Sequence, residues 1–277
     1  MAGNPLEGYF RKPAIFIELP SRGNYYKDKP KLSADNELAV FGMTAKDELH
    51  LKNPDALLNG EGIIKVLESV TPDISSPHDM PIPDFNSVLI AMRIASYGKE
   101  MEYLIKCTEC LEVDTVTFDL YDILATTTFL EPEYIVKLES GVKVSIKPTD
   151  VTTQNKVSIG QLEQGRLIDI INSEDSEDIK MARFGKAFEK LTSITFDLVQ
   201  DGIINVTLPD ENATVVDDRV HIREWMMNIT KPEYEKIQTK ITEINLIGTN
   251  SKFDHTCTKC KTQISSQIQF DPVSFFG

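Results

Sequence analysis

The chain has 277 residues, 41% of them apolar and 26% charged, the balance of a globular protein with room for one large domain or two small ones. Its net charge of −14 works against DNA or RNA as a partner, because that affinity rests on neutralising phosphates with Lys and Arg. No basic start followed by an apolar run marks a signal peptide, and no stretch approaches the ~20 apolar residues needed to cross a bilayer.

In chain order, residues 1–12 are polar and expected to be mobile. Residues 14–19 read as a strand stopped by Pro20, and the following Pro-Ser-x-Gly run favours a turn. Tyr25 and Tyr26 sit in that polar loop. They read either as half-buried packing or as anchors for a partner protein. Residues 38–41 form a second short strand. Thr44 is placed to cap a helix, with Asp47 and Glu48 in its positive first turn. Residues 62–70 read as an amphipathic helix. Residues 71–83 contain four prolines and read as a loop. Asp84 is then expected to cap a helix whose apolar face carries Phe85, Val88, Leu89 and Met92, with Gly98 placed to end it. Arg93 within that helix calls for a buried partner such as an acidic side chain.

Two CxxC pairs, Cys107/Cys110 and Cys257/Cys260, contain all four cysteines. Each lies between alternating segments that read as strands, and both return strands end in Phe-Asp, at Phe118-Asp119 and Phe270-Asp271. A two-residue gap lets one tight turn aim two sulfurs at a common point, and two such hairpins together supply the four thiolates of a structural zinc site, as in a zinc ribbon. Structural disulfides require an oxidising compartment. A redox CxxC normally opens a helix in a βαβ unit, and helix formers follow neither pair. His255, two residues before Cys257, could replace one sulfur, but it reads more naturally as a group beside the site or in solvent. A saturated tetrathiolate has no open position for water, so the metal reads as a staple rather than a catalyst.

Between the pairs, residues 134–146 form a hairpin turned at Ser140-Gly141. Residues 149–248 read as mainly helical. Within them Met181, Phe184, Phe188, Leu191 and Leu198 repeat at helical spacing, a pattern expected to face the core. Residues 220–229 repeat it, and Thr230-Lys231-Pro232-Glu233 reads as a capping box with proline near the helix start.

The expectation is therefore an α+β fold in four parts. Residues 1–35 form an arm with a short strand, and residues 36–148 an α+β part holding the first CxxC hairpin. Residues 149–248 are a mainly helical insert, and residues 249–277 form the second hairpin, packing back on the first. Zinc would clamp the base of the insert. Closing so long a loop costs entropy that grows only slowly with length, whereas structural zinc contributes on the order of 10 kcal/mol.

Catalytic patterns are missing from the sequence. There is no phosphate-binding glycine loop, no HExxH and no Gly-x-Ser-x-Gly. None of His50, His78, His221 and His255 is followed by x-Glu, as a zinc deaminase requires. The acidic pairs Asp217-Asp218 and Glu174-Asp175 have no partner base. These observations speak against an enzyme and against a small-molecule substrate.

Several stretches, in order, resemble the T4-type bacteriophage baseplate proteins, which include hub subunits and hub assembly factors. They are Arg11-Lys12-Pro13 with residues 15–26, then residues 40–48, then residues 84–98 with the CxxC that follows. This resemblance covers the first 120 residues well and the remainder only in general plan. It implies a non-enzymatic tail protein that helps to build the baseplate hub by binding other tail proteins in the host cytoplasm, with no nucleic-acid or membrane partner. A place in the finished virion baseplate is compatible with it. Zinc rests on the cysteine spacing and not on the resemblance. Two other readings stand beside it: a zinc-ribbon adaptor acting on transcription machinery, which the net charge disfavours, and a metal-dependent hydrolase using His255 at an open site.

Overall fold

A computed structural model describes residues 6, 9–52, 60–172, 176–268 and 275. The Phe270-Asp271 end and the Glu174-Asp175 pair lie outside them, as do most of residues 1–8. The chain divides into two compact units. The first comprises residues 1–77, 83–130 and 247–277; the second comprises residues 78–82 and 131–246.

In the first unit, β1 (Pro13–Glu18) and β2 (Glu37–Phe41) pair antiparallel, with Ile17 opposite Leu38. Helix α1 (Ala45–Leu51) starts at the expected cap: Thr44 accepts from the Asp47 amide, and the Asp47 side chain accepts from the Thr44 amide. Helix α2 (Glu61–Val70) and helix α3 (Ile82–Tyr97) follow. Leu19, Leu38, Val40, Val66, Leu67, Val88 and Leu89 are buried here without residue, and Gly98, at φ 92°, ends α3 as anticipated.

Two readings of α3 change. The helix begins at Ile82, and the buried Asp84 is not a cap: its carboxylate accepts from the Ser21 amide at 2.7 Å, the Ser21 hydroxyl at 2.5 Å and the Tyr26 hydroxyl at 2.8 Å. Arg93 has no acidic partner among the described contacts. It donates to the Phe275 carbonyl, and its guanidinium lies 5.4 Å from the centre of the Phe275 ring.

Strands β3 (Glu100–Lys106) and β4 (Val113–Asp119) form the first CxxC hairpin, which runs into the short helix α4 (Leu120–Ala125). The chain leaves this unit at Leu130 and returns at Ile247. The two crossings are tied together. Thr128 donates its amide to the Gly248 carbonyl at 3.0 Å, its hydroxyl accepts from the Gly248 amide at 3.0 Å, and the Thr126 hydroxyl accepts from the Asn250 amide at 2.9 Å.

The second unit holds β5 (Tyr134–Lys137) and β6 (Lys143–Ile146), the expected hairpin. Long helices α5 (Val151–Asn172) and α6 (Glu177–Asp201) follow. Two further strands, β7 (Ile203–Thr207) and β8 (Val215–Val216), lie within the stretch that reads as helical. They extend the hairpin into a four-stranded antiparallel sheet, β5-β6-β7-β8. Helices α7 (Arg219–Asn228) and α8 (Lys231–Asn245) complete the unit. In the Thr230 box the Thr230 side chain makes no bond to the helix amides; its hydroxyl donates to Glu233 at 3.2 Å, and Glu233 also accepts from the Ser140 amide at 3.2 Å. The core is built from Val144, Ile146, Ile203, Ile222, Met226, Ile237 and Ile244. The stripe on α6 joins it only in part: Leu191 and Leu198 are half-buried, whereas Met181, Phe184 and Phe188 are exposed.

The last hairpin, β9 (Lys252–Thr256) and β10 (Gln263–Gln267), belongs to the first unit.

Candidate metal centre

The two CxxC turns share one backbone path. The Cys107 amide donates to the Glu112 carbonyl at 2.8 Å and the Leu111 amide to the Cys107 carbonyl at 3.1 Å; in the other hairpin Cys257 reaches Thr262 at 2.9 Å and Lys261 reaches Cys257 at 3.1 Å. The residue after each second cysteine takes the left-handed conformation, Leu111 at φ 62° and Lys261 at φ 64°. That turn reverses the chain so tightly that both sulfurs of a pair emerge on one side.

All four sulfurs lie within 4.8 Å of one another. The shortest approaches cross between hairpins, Cys107 to Cys260 at 3.5 Å and Cys110 to Cys257 at 3.6 Å. A tetrahedral Zn–S distance of about 2.3 Å implies sulfur–sulfur edges of about 3.8 Å, so the cluster has the dimensions of a tetrathiolate. Its walls are apolar: Ile105, Ile264, Val116 and Phe253 pack with the cysteines, and Phe253 meets the rings of Phe118 and Tyr103 edge-on at 4.7 and 5.7 Å.

Four thiols crowded in this way cannot all ionise unaided. Cys260 is lowered to about 6, first by the Thr262 hydroxyl 3.3 Å away and then by the Thr262 amide. Cys110 is pushed up to about 12. The Glu112 amide pulls it down, but burial and hydrogen bonds with the other three sulfurs outweigh that pull. A divalent cation at the centre removes this conflict, because it binds thiolates and displaces their protons.

His255 does not point at the sulfurs' common centre as a ligand. Its Nε2 lies 2.8 Å from Asp114 Oδ2. The same carboxylate accepts from the Thr258 amide at 3.0 Å and, on Oδ1, from the Thr258 hydroxyl at 2.5 Å. Asp114 is on β4, whereas His255 and Thr258 belong to the second hairpin, so this buried carboxylate ties the two hairpins together beside the sulfurs. Lys259 to Glu112, at 2.8 Å, is a second, exposed tie. The sequence reading missed Asp114, and its only signal was an acidic residue on a strand otherwise rich in Val and Thr.

Tyr25 and Tyr26 are half-buried and remote in sequence from this cluster. The Tyr26 hydroxyl is committed to Asp84, and Tyr25 takes φ 70°. Neither Tyr25 nor Tyr26 is among the groups that meet at the cysteines.

Fold and site together define a two-unit α+β protein whose first unit carries a four-cysteine centre made from hairpins far apart in the chain. A family model described as T4 bacteriophage base plate protein matches residues 13–277. The chain belongs to that family and is thus a phage baseplate protein. No curated protein and no solved structure matches it. Among the described residues, no helix is long and apolar enough to cross a membrane.

Proposed function

We propose that this protein is a baseplate hub subunit or hub assembly factor that works through its surfaces, by binding other tail proteins, and that a structural zinc ion bound by Cys107, Cys110, Cys257 and Cys260 holds its first unit in shape. The family match over residues 13–277 carries the assignment to the baseplate. The four-sulfur donor set supports zinc: soft, convergent and complete, it suits a closed structural site and offers no position for a reacting water. Zinc here does no chemistry on a substrate. It fixes the two hairpins so that the strands and loops around them present a constant surface, and the protein acts without catalysis. Assembly takes place in the host cytoplasm, before the tail is complete.

Tagged protein purified from infected cells tests both parts on one sample. Stoichiometric co-purification of hub or other tail proteins, with one zinc per chain, is the expected result. Recovery of RNA polymerase in place of tail proteins would overturn the assignment to assembly, and a metal-free chain would overturn the centre.

A further inference from the structure

The bond pattern of the first CxxC hairpin fixes which of its backbone groups face away from it. The Cys107 amide donates to the Glu112 carbonyl and the Leu120 amide to the Lys99 carbonyl, both at 2.8 Å. In an antiparallel ladder, bonded and non-bonded pairs alternate. Ile105/Asp114, Tyr103/Val116 and Met101/Phe118 are therefore the bonded pairs. Lys106/Val113, Leu104/Thr115, Glu102/Thr117 and Glu100/Asp119 aim their amides and carbonyls outward. On β4 the outward row is thus Val113, Thr115 and Thr117, ending at Asp119. The side chains of the first three are exposed, and among the described residues no bond from elsewhere in the chain reaches their backbone groups.

An open strand edge is a template for further pairing, and proteins guard such edges with charges, proline or bulges. The outward row of β3 is guarded by Glu100, Glu102 and Lys106. By the same alternation, counted from the Cys257–Thr262 and Ile268–Ser251 bonds, the row on β9 is Lys252, Asp254 and Thr256, and that on β10 is Gln263, Ser265 and Gln267. The row on β4 differs from all three. Asp119 is committed to Lys99 and to the Tyr121 amide at the start of α4. Before it the row carries no charge, and the strand has no proline and no register shift. Its three residues are β-branched, which suits a strand, and Val113, 54% exposed, offers a neighbouring strand an apolar contact.

We propose that the outer edge of β4 is a strand-addition site: an extended, basic segment of another tail protein pairs with Val113, Thr115 and Thr117 as a third strand of this hairpin. This role presupposes that the protein works by binding other tail proteins, and it gives that binding a place and a chemistry. Charge selects the occupant. Residues 99–122 hold seven acids and two bases. Asp114, Asp119 and Glu112 are committed to His255, Lys99 and Lys259. Glu100, Glu102, Glu109 and Asp122 are exposed and make no ion pair among the described residues, with Lys106 the one base left to offset them. A segment bearing Lys or Arg is drawn to such an edge. A second copy, bringing the same acids and a net charge of −14, is repelled.

Hydrogen exchange followed by NMR on the full zinc-loaded chain tests the proposal, with a short capped peptide of alternating Lys and Val as the probe and its Glu–Val counterpart as the control. At saturation the Lys–Val peptide is expected to slow exchange of the Val113, Thr115 and Thr117 amides about tenfold. The Asp114, Val116 and Phe118 amides, already bonded to β3, should not change, and the effect should weaken as salt is raised. Thr115→Pro removes one outward donor without touching the ladder to β3, as an edge strand tolerates. It should weaken peptide binding about tenfold with zinc content and circular dichroism unchanged. Thr115→Lys leaves the backbone donor in place and opposes a basic strand by charge, so it should weaken binding as well. Equal effects of the two peptides, wild-type binding by either variant, or unprotected amides at saturation would overturn the proposal. So would protection that rises with the concentration of the chain alone, which marks a second copy as the occupant. In infected cells Thr115→Lys should lose tail proteins that the wild type retains. If both retain them equally, the edge falls while the role in tail assembly stands; if the wild type retains none, that role falls and the peptide titration still decides the edge.

Discussion

Asp84 and Asp114 are both buried carboxylates, and their surroundings drive them in opposite directions. Burial pushes Asp84 up to about 6, against the pull of its bonds from Ser21 and Tyr26. The folded chain therefore holds a proton between about pH 4 and 6 that the unfolded chain has lost, and this group makes stability fall as pH rises through that window, by about 3 kcal/mol. Asp84→Asn is expected to flatten the slope between pH 4 and 6 in denaturant titrations; an unaltered slope would remove Asp84 from the account. Asp114 is held down to about 2, first by the Thr258 hydroxyl, then by His255 and the Thr258 amide. Its contribution is complete above about pH 4 and is lost only as pH falls towards 2. Asp114→Ala should lower Tm by several degrees at neutral pH while leaving the zinc content unchanged, because it cuts the tie between hairpins without touching a sulfur. Leu111 offers the opposite test. At φ 62° a non-glycine residue is strained by about 1 kcal/mol, so Leu111→Gly is expected to stabilise the fold by about that amount in the same titrations.

Among the elements, those governed by local pattern were legible in the sequence and those decided by distant partners were not. Thr44 and Asp47 close a capping box by themselves, Ser140-Gly141 turns a hairpin by itself, and each CxxC forms its own knuckle, so spacing sufficed. The Asp84 region shows the limit. An acidic residue at a helix start reads as a cap, yet its carboxylate is taken by Ser21, 63 residues earlier. Arg93 finds its partner 182 residues away, in a backbone carbonyl that no pattern marks. Strand β7 escaped notice because Ile203-Ile204-Asn205-Val206-Thr207 follows a long helix and pairs with β6, about 60 residues back. The stripe on α6 was expected to face the core, yet Met181, Phe184 and Phe188 are exposed, because periodicity says nothing about what covers an apolar face. A close approach was equally silent. A Cβ on Gly42 would lie 2.7 Å from the Ala95 carbonyl oxygen, a backbone atom that cannot swing away. Gly42→Ala is expected to cost about 2 kcal/mol, on the scale of an overpacked core. A neutral result in thermal unfolding would show that the β2–α3 contact is looser than described.

At the scale of the molecule, the first unit is assembled from three separated stretches of chain, and the second unit is mainly the excursion between residues 131 and 246, joined by residues 78–82. Cys110 and Cys257 are 147 residues apart and their sulfurs are 3.6 Å apart, so the cysteine cluster joins the two ends of that excursion, as the Thr128–Gly248 hydrogen bonds also do. Sequence spacing identified all four sulfurs, because a CxxC pair announces itself; the brace at Asp114 and the tie at Thr128 arise only once the chain has folded. Chelation or Cys110→Ser should free the second hairpin and increase proteolytic cleavage near residues 249–256, whereas the second unit, with its own core, should keep its digestion pattern. The most direct measurement is X-ray absorption at the zinc edge of the purified chain. The account predicts one zinc per chain surrounded by four sulfurs at about 2.3 Å. A nitrogen or oxygen in that shell, or no bound zinc, would contradict it.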